Sequence, residues 1–350
     1  MKYIMPPMTV FEDPFWKGLQ REFTDKRIFD RTHTLDLPYE QVDISPIPEY
    51  KHTEESLTTV SRRVAEDLVR QGHHNIHIMW SGGIDSTNIV AAFKAIQYPI
   101  TVVHSKESVV EFPEFYNSVV KDCARLEFKD IREVLLDLSE KDWVTIVGGE
   151  FGDYCTREVG IANKKGWVSG TGFTWSVDEG IPEDRRAFLR PVLEAAPFDL
   201  EDIDDEFWWL FWTMKWQLNA YRWHHLVRKK IDNLVQFYEH PLIQNWSMSN
   251  PSRKHNKEIH KYPIKESIFE YFPEECVWEM RKHESTPQVV FIHDGRTMAQ
   301  VHEKARKMGL PNWGGPYKAW INSEWQFGGY ELTKHDTIPR LKQANESDMV

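Results

Sequence analysis

The sequence predicts an α/β fold, a doubly wound and mostly parallel sheet with a helical C-terminal half, on three observations. Apolar runs of strand length alternate with helical segments between residues 54 and 150, the pattern of crossover connections that keep strands parallel and place helices on both faces. Two of those runs, NIHIMW and DWVTIVGG, end directly in glycine-rich turns. Beyond residue 200 the apolar spacing becomes that of long helices, opening with DEFWWLFWTMKWQLNAYRWHHLVRKK.

Taken in order, residues 1–52 are rich in Pro and aromatic residues without periodicity and read as an irregular arm. From Glu54 to Arg70 the apolar positions Leu57, Val60, Val64 and Leu68 recur at helical intervals. The strand NIHIMW follows, then a Ser-Gly-Gly turn, then a helix marked by Ile89, Val90, Ala92 and Phe93. YPITVVHS has the continuous apolar character of a buried parallel strand. Pro113 to Leu126 reads as a helix, REVLLDL as a strand and DWVTIVGG as another. The chain is therefore expected to comprise the arm 1–52, an α/β domain 53–200, a mostly helical part 201–310 packed on the sheet, and a loop-rich tail 311–350.

Composition narrows the function classes. Lys plus Arg total 43 against 54 Asp plus Glu, and the net charge of -11 repels a polyanion, so nucleic acid is not the expected partner. Only Cys123, Cys155 and Cys276 occur, without a CxxC pair, which excludes a disulfide framework or cysteine-rich zinc site and points to a reducing, cytoplasmic compartment. No run of about 18 apolar residues is present, so no membrane span is expected. Of the 15 Trp, the group Trp208, Trp209, Trp212, Trp216 and Trp223 falls mostly on one helical stripe, which favours core packing over a base-stacking surface. The pairs His73–His74 and His224–His225 lack the i, i+4 spacing of a helical metal site.

The chemistry-bearing stretch is SGGIDST, residues 81–87. Unpaired backbone N–H groups at a turn and the helix start that follows it bind phosphate. Gly82 and Gly83 permit close approach, while Ser81, Ser86 and Thr87 can add hydroxyl donors. Asp85 is an acid where an anion should sit, which makes sense if a divalent cation bridges it to the phosphates. The turn has neither the spacing nor the lysine of a Walker loop.

SGGIDST resembles the SGGxDS[ST] pyrophosphate loop of the N-type ATP pyrophosphatase (PP-loop) superfamily, which cleaves ATP between its α and β phosphates. VGGEFGDY, residues 147–154, resembles the G-E-G-[AS]-D-E segment of asparagine synthetases and β-lactam synthetases, with Gly149, Glu150, Gly152 and Asp153 in place and Tyr154 where the usual second acid stands. FYEHPLIQ, residues 237–244, is similar to E-x-R-x-P-F-L-D but lacks the arginine and carries Gln244 for the aspartate. KYPIKESIFEYFPEECVWEMRKHES resembles the K-x-x-[IL]-[LK]-[RK] helix and the L-P-x-x-[IV]-x-x-R-x-K segment of the same family.

Carried onto these positions, the resemblance implies a sheet of the adenine nucleotide alpha hydrolase-like (HUP) type, with ATP as substrate and Mg2+ held by Asp85 and Asp153. Gly149 joins the pyrophosphate cradle, Glu150 lies toward the acceptor, and Lys282 or Arg281 supplies the cation at the α-phosphate. The implied reaction adenylates a carboxylate and passes the acyl group to ammonia or an amine. Lys2 stands where complete asparagine synthetases have their glutaminase cysteine, and 52 residues cannot hold that domain, so a separate glutaminase is a possible partner. A nucleobase- or tRNA-modifying enzyme of the superfamily and a non-catalytic ATP-binding protein are the alternatives.

Overall fold

Among the described residues five short parallel strands form the sheet, β1 (Ile76–Met79), β2 (Thr101–His104), β3 (Ala124–Glu127), β4 (Thr145–Gly148) and β5 (Leu234–Gln236), in the order β3-β2-β1-β4-β5. The computed structural model describes residues 30–37, 45–128, 131–156, 181, 183–216, 220, 233–249 and 261–279, all within one compact unit. The fold is α/β and consistent with a Rossmann-like sheet. Chain order runs outward from β1 to β2 and β3, then returns to its other side for β4 and β5. The β1/β4 junction is thus the switch point, and the crevice at the carboxyl ends of such strands is where α/β sheets take ligands.

The helices follow from apolar spacing. In α1 (Leu57–Arg70) the buried side chains Leu57, Val60, Val64 and Leu68 form one stripe, capped at the start by Ser56, whose hydroxyl accepts from the Thr59 N–H. Each such side chain contributes about 1.5–3 kcal/mol by leaving water. α2 (Ile84–Ala95) is buried nearly all round, packed by α1 on one side and by α10 (Tyr262–Tyr271) on the other. The remaining helices among the described residues are α3 (Lys106–Glu111), α4 (Pro113–Ser118), α5 (Ile131–Ser139), α6 (Gly152–Cys155), α7 (Glu183–Glu194), α8 (Ile203–Leu210), α9 (Pro241–Met248) and α11 (Cys276–Glu279).

Two sequence expectations are corrected. REVLLDL is not a strand: it lies in α5, where Val134, Leu135 and Leu138 share one face against Val103, Val144, Ile146 and Leu234. A short apolar run is compatible with either element, and here the burial period is helical. The strand lies instead inside the segment expected to be helical, which stops at Ser118 and becomes β3 at Ala124. β3 is the outermost strand on its side among the described residues and mostly exposed, so its sequence ARLE needs little apolar character. The region expected to be mostly helical also contains β5, whose three residues are too few to show a period.

The aromatic stripe is core. Trp208, Trp209, Trp212 and Trp216 are fully buried, and Trp209 stacks on Trp212 at 5.2 Å. Trp223 lies outside the described residues. After α8 the helix widens into a π turn, Phe211–Lys215, and the arm residue Arg31 answers it. The Arg31 backbone N–H donates to Thr213 O, its Nη1 donates to Trp212 O, and the guanidinium lies over the rings of Trp212 and Trp216 at 4.3 and 4.6 Å.

Entry into α9 depends on His240. Its Nδ1 accepts the Leu242 N–H, so the proton resides on Nε2, which donates to Asp67 Oδ2 at 2.8 Å. Burial depresses the imidazole's pKa below 6.5 even though Asp67 raises it. A depressed pKa contributes stability that is complete above the unfolded value and is lost as pH falls through the folded one. Thermal stability is therefore expected to drop on acidification from about pH 7 to about pH 5. His240→Asn, which can cap but not titrate, should show a shallower drop in melting curves over that range. An equal slope in both proteins would rule His240 out as the group responsible.

Candidate functional site

Two turns meet at the switch point, one after β1 and one after β4. In the first, Ser81 N–H donates to Ser86 Oγ, which donates to Gly83 O, and Gly83 N–H donates to Ser81 Oγ. Ser81 and Ser86 are therefore the staples of the turn. Gly82 has a φ of 83°, and a Cβ there would lie 2.3 Å from Ser108 O, so this position requires glycine. Gly83 caps α2 without a side-chain hydrogen bond, leaving the first-turn amides without a side-chain cap. Thr87 lies below the surface of the turn, fully buried, its hydroxyl accepting from Trp80 Nε1. Glu111 flanks the turn.

The second turn carries Gly149, Glu150, Phe151 and Gly152 into α6. Gly149 packs on α2, a Cβ there lying 3.3 Å from Ser86 N, which brings the two turns into contact. Glu150 is exposed, and its backbone N–H donates to Gln236 Oε1 at the end of β5. Phe151 adopts the left-handed conformation at φ 73°, held by stacking on Trp216 at 4.6 Å. Gly152 touches Asp85: a Cβ on it would lie 2.4 Å from Asp85 Cγ.

Asp85 and Asp153 sit in the first turns of α2 and α6, where the helix N-terminus favours negative charge. Both reach one group, the ammonium of Lys261, with Asp153 Oδ1 at 2.6 Å and Asp85 Oδ2 in direct contact. The two carboxylates are thus no farther apart than two hydrogen bonds laid end to end. Lys261 has 5 % of its side chain exposed, against 20 % for Asp85 and 40 % for Asp153, so it meets the acids from the protein interior. Burial pushes the Lys261 ammonium's pKa down, but the charges and hydrogen bonds of Asp153 and Asp85 outweigh it and hold the group above the ordinary lysine value. In this contact two carboxylates face one ammonium.

A buried polar network fixes this geometry from below. Tyr238 OH donates to Asp85 O and accepts from Asn88 Nδ2, which also donates to Ser61 Oγ, while Ser267 Oγ donates to Asn88 Oδ1. One network therefore ties α1, α2 and α10 to the segment after β5. Burial, and then the charge of Asp85, push the Tyr238 phenol well above its usual range. It stays protonated, as its donor role requires.

Of the residues singled out in the sequence, the structure brings together Ser81, Gly82, Gly83, Asp85, Ser86, Gly149 and Asp153. Arg281 and Lys282 lie outside the described residues. Tyr154 stands in the core, stacked on Phe211 at 4.5 Å. Gln244 is structural: its Oε1 accepts from Arg31 Nη2 at 2.6 Å and its Nε2 donates to Glu239 O at 2.7 Å. Sequence reasoning missed Lys261. The signal was present, since Lys261 opens the K-x-x-[IL]-[LK]-[RK] segment, but nothing local marks it as the partner of two acids.

The donor set suits a hard divalent cation. Two carboxylates from separate crossover units converge where one ion could contact both, and among the described residues no larger cluster of His, Cys, Asp or Glu could hold a metal. Fold and site together define a parallel α/β protein with a glycine-rich turn at a strand end and a lysine-bridged pair of acids at its switch point. No protein-family model matches the chain, and no curated protein matches its sequence. Among the described residues no helix is long and apolar enough to cross a membrane.

Proposed function

We propose that the chain is an ATP-dependent amide-forming enzyme, similar to asparagine synthetases, that adenylates a carboxylate and passes the acyl group to ammonia or an amine. The observation that carries this reading is the convergence of Asp85 and Asp153 beside the Ser81-Gly82-Gly83 turn. In this reading the sheet is of the HUP type, the helical C-terminal half shapes the acceptor site, and the enzyme works in the cytoplasm, with a separate glutaminase as a possible nitrogen source.

The reaction divides into two displacements. A carboxylate oxygen bonds to the α-phosphorus of ATP as the bond to the bridging oxygen breaks and pyrophosphate leaves. An amine then attacks the acyl carbon, loses a proton, and AMP departs. Asp85 and Asp153 would hold Mg2+, which when bound neutralises charge on the leaving pyrophosphate. The amides of the first turn of α2 contribute fixed donors to the same group. Lys261 adds a buried positive charge beside it, and Glu150 faces the acceptor from the end of β4. Lys282 or Arg281 would supply the second cation, at the α-phosphate. Both substrates are held at the edge of a rigid sheet, and such positioning is worth several kcal/mol of barrier.

Incubating the protein with Mg·ATP, ammonium and a panel of carboxylic acids should release pyrophosphate and AMP in response to one class of acid. Release stimulated only by tRNA or a nucleotide would move the assignment to nucleobase modification. Tight Mg·ATP binding with no release under any condition would leave a non-catalytic nucleotide-binding protein. That second reading draws support from Tyr154, Glu239 and Gln244, which stand where the family pattern has an acid, an arginine and an aspartate.

A further inference from the structure

We infer that the arm residues Arg31 and Ser45 position the second turn of the site, and that they do so through Trp216 acting on the left-handed Phe151. This coupling belongs to the backbone of the turn and holds whatever the site binds; only its bearing on turnover rests on the nucleotide reading above.

Phe151 has a φ of 73° and a ψ of -4°, a conformation that is unfavourable for a bulky L-residue and persists only where the surroundings over-determine it. Gly149 and Gly152 lie on either side, yet neither takes the left-handed position. The side chain explains the choice. Phe151 is buried, its ring stacked on Trp216 at 4.6 Å and tilted against Tyr154 at 5.8 Å. Returning φ to the ordinary region would swing the ring out of that stack, so the position of Trp216 decides whether the turn keeps its shape.

Trp216 is in turn held by the arm. Its Nε1 donates to Ser45 Oγ at 2.9 Å in the interior, and the Arg31 guanidinium lies 4.6 Å from its ring. Arg31 also fixes the π turn just before Trp216, donating its backbone N–H to Thr213 O and its Nη1 to Trp212 O. The same guanidinium donates to Gln244 of α9, the helix whose Ser247 Oγ donates to Cys155 O at the end of α6. One arm residue thus reaches both ends of α6, through Trp216 to Phe151 before it and through α9 to its last residue. Glu150 precedes Phe151 and Asp153 follows two residues later, so a change of φ at 151 swings one acid relative to the other. The direction in which Asp153 meets Asp85 and Lys261 therefore depends on the arm.

Hydrogen exchange of the full chain without ligand, read by mass spectrometry on peptides covering 149–155 and on β2 as an internal reference, tests this. Two amides report the turn: Glu150 N–H donates to Gln236 Oε1 at 3.3 Å, and Tyr154 N–H donates to Phe151 O at 3.0 Å. Ser45→Ala should speed exchange of 149–155 at least about fivefold, the effect of one lost hydrogen bond, with β2 unchanged. Trp216→Phe, which keeps a ring but loses the N–H, should do at least as much, and Arg31→Lys should act in the same direction. In a Phe151→Gly chain, where glycine takes the left-handed conformation without steric conflict, Ser45→Ala should add less than about twofold, the scatter of independent sites. If Phe151→Gly does not fold, Phe151→Asn, a residue that tolerates this region, takes its place. Unchanged exchange at 149–155 in Ser45→Ala, or a rise shared equally by β2, overturns the inference. So does an undiminished rise in the Phe151→Gly or Phe151→Asn background. No nucleotide is present in these measurements, so their outcome is separate from that of the nucleotide reading, which pyrophosphate release tests.

Discussion

Gly152→Ala is expected to cost at least about a hundredfold of the magnesium-dependent pyrophosphate release proposed for this protein, while leaving the fold largely intact. The added methyl would stand 2.4 Å from Asp85 Cγ and 2.6 Å from Asp85 Oδ1, closer than atoms can approach. Asp85 cannot simply retreat, because its backbone carbonyl accepts from Tyr238 OH and its carboxylate contacts Lys261. The side chain must rotate away, and the carboxylates of Asp85 and Asp153 then no longer converge. A misplacement of this size at a site that works by positioning costs on the order of a hundredfold. The cost in stability should be small by comparison, since α6 is only four residues long and lies at the start of the β4–β5 crossover. Rates measured beside melting curves check this: a variant with normal turnover would show that the two acids need not meet.

Arg31→Ala is the substitution expected to destabilise the protein most. The guanidinium of Arg31 is buried, donates to Ser45 O, Pro46 O, Trp212 O and Gln244 Oε1, and covers the faces of Trp212 and Trp216. Truncation removes these bonds together, leaves Gln244 Oε1 without that donor, and opens space between two large rings. Hydrogen bonds to a charged group contribute about 1.5–3 kcal/mol each, so losing several of them together costs about 3–5 kcal/mol, and stacking on two indoles adds to it. For a unit of this size that corresponds to a fall in Tm of roughly 10 °C. Arg31→Lys should recover only part of the loss, because an ammonium cannot reproduce the planar fork. Denaturant unfolding followed by Trp fluorescence measures both variants. A change under about 0.5 kcal/mol for Arg31→Ala would mean that the arm is not anchored by this residue.

Much of the site was legible in the chain because its parts are local. A strand, a Ser-Gly-Gly turn with an acid two residues on, and a helix start are one continuous segment, and VGGEFGDY is another. Their chemistry can be named from residue type and spacing alone. The aromatic stripe at 208–216 was legible for the same reason, since helical period and burial coincide there. Reading failed where period and burial separate. The strand β3 is polar because it is mostly exposed, and α5 mimics a strand because its apolar face is short. Phe151 shows the same limit in the backbone: it occupies a left-handed position that a sequence reader reserves for glycine, and the stacking on Trp216 that holds it there comes from a distant helix.

By itself the sequence determined the alternation of strands and helices, the two strand-end turns and the residue types they carry, because hydrophobic period and turn chemistry act over a few residues. Only the tertiary structure decided which charges meet. Lys261 is 176 residues from Asp85 along the chain, and Gln244 is 213 from Arg31. Electrostatic contact depends on distance through space, which packing sets and spacing along the chain does not encode.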